Sequence, residues 1–185
     1  NIISSGAKTL NFIFDKYRVP DGASVYLYNN DKSDLLGAYT NVLNRDDQML
    51  GTWIVEGDNV WIEYHEPKSV QGQGNLNIGK VIHGYRITTD SELVQKALND
   101  SGNCNMDVDC SIGGDFDALK DRLKHSVAFI IMQGFVCTGQ LINNTNNDKA
   151  PYFLTANHCN AGPTSTWAFR FNWISPNPIC AATTN

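Results

Sequence analysis

Between residues 10 and 87 the apolar positions come in short runs, and polar clusters punctuate them. Leu10-Asn11-Phe12-Ile13-Phe14 alternates loosely, and Ser24-Val25-Tyr26-Leu27-Tyr28 stops at Asn29-Asn30-Asp31. Thr52-Trp53-Ile54-Val55 leads into the turn Glu56-Gly57-Asp58-Asn59, and Asn59 to His65 resumes with aromatic and β-branched residues. Leu76 to Arg86 supplies one or two runs more. Successive strand side chains point to opposite faces, so runs of this kind at regular spacing predict a β-sandwich. Asp90-Ser91-Glu92 predicts a capped helix through Leu98, and the polar stretch Asn99 to Asn103 reads as a linker. Asp115 to His125 carries Phe116, Leu119 and Leu123 at helical spacing. Ser126–Gln133, Phe135–Ile142, Tyr152–Ala156 and Thr166–Trp173 read as further strands. The expected class is all-β, with one domain over 1–100 and a second over 101–185.

Composition narrows the function. The 185 residues carry 14 Lys+Arg and 19 Asp+Glu, a net charge of −5, so no basic stripe is available for nucleic acid. Hydrophobic residues make up 42%, too many for a disordered chain. The longest apolar run, Val127 to Met132, falls far short of the roughly 20 residues of a membrane span. There are 21 asparagines, many in loops such as Asn143-Asn144-Thr145-Asn146-Asn147, which suits a turn-rich β protein. The start at Asn1 has no leader pattern and the stop at Asn185 follows no closing element; both ends read as cuts in a longer protein.

The five cysteines, Cys104, Cys110, Cys137, Cys159 and Cys180, all follow residue 103. That asymmetry supports two domains. Disulfides in a secreted protein are the expectation, the odd count leaving either a free thiol or a partner elsewhere. Five reduced, buried cysteines of a cytosolic protein are the alternative. Zinc is weaker, because no C-x-x-C and no spaced His pair is present; no metal and no cofactor are expected.

One stretch carries chemistry. The strand Tyr152-Phe153-Leu154-Thr155 delivers His158 at its end, with Cys159 next to it and Cys137 on a neighbouring strand. A Cys137–Cys159 bridge would staple the His158 loop to the sheet, and a general base has to be held in a defined orientation. His65, His83 and His125 lack any such setting and read as surface or packing residues. Asp107, Asp109, Asp115 and Asp117 around Gly113-Gly114 lack the spacing of an EF-hand and read as a solvated acidic turn. Trp53, Trp61, Tyr64 and Tyr85 could form a sugar platform, but core aromatics are the expectation.

Thr155-Ala156-Asn157-His158-Cys159 resembles the T-A-x-H-C motif of chymotrypsin-like serine proteases, and Cys137-Thr138-Gly139-Gln140-Leu141-Ile142 resembles the C-x-G-x-L-I strand ahead of it. More narrowly, Ser101 to Cys110 is similar to the start of mature bacterial lysyl endopeptidases. Residues 10–87, with Tyr64-His65-Glu66-Pro67 and His83-Gly84-Tyr85-Arg86, are similar to the pro-region ahead of such secreted proteases. The resemblance implies that 1–100 is a pro-region sandwich contacting its own protease domain. It implies that 101–185 is part of the first of two β-barrels, that His158 is the general base of a Ser-His-Asp triad, and that Cys110 pairs with Cys180 while Cys104 stays unpaired. Protein or peptide substrates, a preference for Lys and an extracellular location follow from it. No triad partner is identifiable: no Asp or Glu follows His158, and Ser165 and Ser175 lie in no Gly-Asp-Ser-Gly-like setting. The fragment alone is therefore expected to be inactive. The rival reading is a non-catalytic secreted adhesion or carbohydrate-binding module with a degenerate protease-like tail.

Overall fold

The computed structural model describes residues 1–85, 106–160 and 162–180; the helix expected over 90–98, the linker and Cys104 lie outside the described residues. Two compact units emerge. One takes Asn1–Thr89 with Ile131–Phe135 and Ala161–Ala168, the other Asp90–Ile130, Val136–Asn160 and Phe169–Asn185.

The first unit holds two antiparallel sheets. β1 (Ile2–Ile3), β7 (Asn59–His65), β3 (Ser24–Asn29) and β4 (Leu35–Tyr39) follow one another in that order across the first sheet. In the second, β2 (Thr9–Arg18) is central, with β8 (Asn75–Gly84) along one side and β5 (Leu50–Gly51) and β6 (Val55–Glu56) in turn along the other. Alternation on β2 sends Leu10, Phe12 and Phe14 to one face. There they meet Val25 and Leu27 of β3 and Val60 of β7 in one buried cluster. Each such side chain, fully buried, is worth about 1.5–3 kcal/mol.

Three expectations change here. Of the run Thr52–Val55 only Val55 lies in a strand, as the first residue of β6, and over Thr52–Ile54 the Thr52 hydroxyl accepts the Phe12 N–H (3.0 Å) while donating to the Trp53 carbonyl (2.9 Å). The hydroxyl takes the place of the backbone carbonyl as acceptor for Phe12, while the Thr52 N–H still donates to the Phe12 carbonyl at 2.9 Å. β4 was not read from the sequence, because Gly37 interrupts its alternation with a positive φ of 134°. Trp61 and Tyr85 are not core residues, being 43% and 69% exposed. On β7, Val60 is buried and Trp61 alternates outward, where its indole N–H donates to Asn30 Oδ1 at 2.8 Å.

The remaining sheet runs β11 (Tyr152–Thr155), β10 (Phe135–Ile142), β9 (Val127–Met132), β12 (Trp167–Phe171). Its outermost strands meet through side chains: the Phe153 ring lies 5.1 Å from that of Phe169 and 6.4 Å from that of Phe171, both edge-on. The sheet is therefore curled. Ahead of it lies α1 (Gly114–Leu123), the one α-helix among the described residues. Asp117 in its first turn accepts from Ser111 Oγ (2.6 Å) and from the N–H groups of Gly113 (2.8 Å) and Ile112 (3.2 Å). Strands dominate throughout, and the fold is all-β.

Candidate active site

The site is built from two paired strands and the turn after them. β10 and β11 run antiparallel with Gly139 opposite Thr155 and Leu141 opposite Phe153. A side chain at Gly139 would run into the Phe153 ring and the Leu154 carbonyl. The Gly of Cys137-Thr138-Gly139 is thus what lets the two strands approach. The Thr155 hydroxyl donates to the Thr138 carbonyl at 2.7 Å, tying the strand ends together. Past Ala156, which is extended, the chain makes one 3-10 turn over Asn157–Cys159, closed by Cys159 N–H to Ala156 O at 2.9 Å.

That turn puts His158 outside and Cys159 inside: His158 is exposed and Cys159 is 3% exposed. Cys159 is bonded to Cys137, with Cα atoms 6.1 Å apart. A ring nitrogen of His158 and the two sulfurs all lie within 4.8 Å of one another. With both sulfurs in a disulfide no thiolate is left, so the trio is an imidazole packed beside a covalent staple rather than a metal centre. His158 opens onto a depression of about 430 Å³ lined by Phe129, Val136, Cys137, Thr138, Ala156 and Cys159. No carboxylate is among the residues lining it. The arrangement can accept and return a proton at an exposed imidazole on a fixed turn, and among the described residues lining it there is no second group to complete a relay.

The second disulfide joins Cys110 to Cys180 across a separation of 70 residues. An apolar pocket of about 230 Å³ shares Phe129 and Thr138 with the His158 depression and adds Val108, Val127, Trp173 and Ile174. Phe129 and Trp173 stack there at 4.8 Å. Lys124 at its wall is engaged by Asp109 (2.7 Å) and Asp121 (3.0 Å), which hold its ammonium in the charged form more firmly than usual. Sequence reasoning missed this pocket, since its lining comes from four separate stretches.

The other candidates are elsewhere. His65, His83 and His125 are exposed. His83 Nδ1 shares a hydrogen bond with Ser4 Oγ (2.8 Å) and His125 Nδ1 with Asn172 Oδ1 (2.5 Å). The Ser4–His83 pair was not anticipated; no sequence signal marks two residues 79 apart. Ser165 and Ser175 are both buried. Asp109 and Asp117 spend their carboxylates on Lys124 and the helix start, and Asp107 accepts the Ile179 N–H at 2.7 Å.

Residues 98–185 match the family model described as lysyl endopeptidase, C-terminal domain. Among curated proteins, a lysyl endopeptidase of Pseudomonas aeruginosa is 26% identical over 113 residues, which is 57% of this chain and 24% of that protein. The chain thus spans about a quarter of that relative's length. No solved structure matches it. A link to the lysyl endopeptidases, concentrated after residue 98, is the conclusion these similarities reach.

Proposed function

We propose that the chain carries the histidine part of a secreted serine endopeptidase with a chymotrypsin-type double barrel. Residues 1–98 are its pro-region and His158 its general base. The observation that carries this reading is the turn Asn157–Cys159, which exposes an imidazole beside the Cys137–Cys159 bridge and over an open depression. In a serine protease such an imidazole takes the proton of the nucleophilic hydroxyl and returns it to the leaving amine. Serine and aspartate are supplied from outside these 185 residues, as are the oxyanion donors and the pocket that would select Lys. The disulfides suit an extracellular setting, and no helix among the described residues is long and apolar enough to cross a membrane.

The test is substitution in the full-length protein. His158→Ala is expected to lower hydrolysis of a lysyl amide by about three orders of magnitude or more. His65→Ala, His83→Ala and His125→Ala leave it nearly intact. Retained hydrolysis in His158→Ala overturns the reading and favours the binding-module alternative.

A further inference from the structure

The alternation that carries Val25, Leu27 and Val60 into the core turns their neighbours outward. On the first sheet this sets Trp61 of β7 opposite Tyr28 of β3, and Glu63 opposite Tyr26. Such partners share a face, with Cβ atoms about 4.5–5.5 Å apart. Leu35 of β4 stands across from Tyr28 and is 51% exposed, so a row of apolar side chains crosses three strands. Gly37 on β4 leaves room for the Tyr26 ring, which any side chain there would strike.

The polar atoms of the two central rings are already engaged. The Trp61 indole N–H donates to Asn30 Oδ1 at 2.8 Å, and the Tyr28 hydroxyl donates to Glu63 Oε2 at 2.9 Å. What the pair offers outward is ring surface, held in place by those bonds. Lys32 Nζ approaches the Tyr28 ring at 4.9 Å. An exposed contact of that kind is worth only about 0.5–1 kcal/mol, so a ligand can displace it. Asn30 leads from the rings into a depression of about 400 Å³ in the same unit. There Asn59, Asp31, Glu56 and Asp58 supply oxygen acceptors, and Lys8 supplies one ammonium.

We propose that this face binds a neutral polysaccharide, a β-linked chain of hexose units with equatorial hydroxyls. Such a unit has an axial C–H face that stacks on an aromatic ring, and a rim of hydroxyls that donate to carboxylate and amide oxygens. Neighbouring strands lie about 4.8 Å apart, close to the advance of one such unit along its chain, so Tyr28 and Trp61 can each take one. Three carboxylates against one lysine in the depression disfavour a polyanion. A protein partner needs a wider patch, since a stable interface buries roughly 800 Å² on each side, and this row is bordered by Glu63 and the acidic depression. The site shares no residue with the His158 turn, so the inference stands or falls apart from the catalytic reading.

The test titrates the 185-residue chain with cellohexaose and with N-acetylchitohexaose by calorimetry. Saturable binding of at least one is expected, and which one binds names the substituent the depression accepts. Trp61→Ala and Tyr28→Ala should each raise the dissociation constant about tenfold or more. Trp61→Phe, which keeps a ring, should retain most of the affinity, and Tyr85→Ala, exposed outside the row, should leave it unchanged. Native circular dichroism of both alanine variants separates lost binding from lost fold. Absence of saturable binding by either hexasaccharide, or equal affinity in the wild type and both alanine variants, overturns the proposal. Concentration-dependent self-association that Trp61→Ala abolishes overturns it as well, by giving the face to a second copy.

Discussion

Gly139 on β10 approaches the Phe153 ring on β11 so closely that any side chain there would collide with it. Gly139→Ala therefore forces the strand pair apart next to Thr138 and Thr155. Overpacking of this kind costs about 1–3 kcal/mol, to be read as a lower urea midpoint at unchanged slope. An unchanged midpoint would show that the strands have room to spare.

The two disulfides close loops of different length, and chain entropy ranks them. Opening Cys110–Cys180, with a separation of 70, should cost roughly 4 kcal/mol, and opening Cys137–Cys159, with a separation of 22, roughly 3 kcal/mol. Paired Cys→Ala variants measured by denaturant unfolding check the order, and peptide mapping without reductant checks the pairing.

Phe12 is fully buried and Phe135 is 67% exposed. Phe12→Ala should lose about 3–5 kcal/mol through transfer and cavity terms, whereas Phe135→Ala should stay within about 0.5 kcal/mol. Equal effects would mean that the buried cluster around β2 is not the core.

Asp117 gives a pH signature. Its carboxylate accepts from the Ser111 hydroxyl and two backbone N–H groups, which lowers its pKa from 3.8 to about 2. A folded-state pKa below the unfolded one adds stability that is complete above about pH 4 and fades as pH falls toward 2. Asp117→Asn should remove that contribution at neutral pH and flatten the acid limb of the unfolding curve. An unaltered acid limb would remove the carboxylate from the account.

Much of the fold was legible because alternation is a local signal: β2, β3, β7 and the strands after residue 126 announce themselves in residues that pack where they stand. β4 was hidden by Gly37, and β5 by a strand of two residues whose partner, Ile13–Phe14, lies far back in the chain. Trp61 was misjudged because aromaticity was weighed above the period of two that turns it outward between Val60 and Ile62. At the candidate site, His158 was legible through its flanking motif. The Phe129–Trp173 pocket and the Ser4–His83 pair were not, since each joins residues whose proximity only the folded chain creates.

The curl that brings Phe153 to Phe169 and Phe171 closes the sheet by rings and not by ladder bonds. Amides on the outward side of β11 therefore lack the cross-strand neighbours that β9 and β10 have on both flanks. Deuterium should enter the sheet from the β11 border inward. The His158 turn, joined directly to β11, then sits beside a margin that breathes, while its disulfide anchors it to a strand that does not.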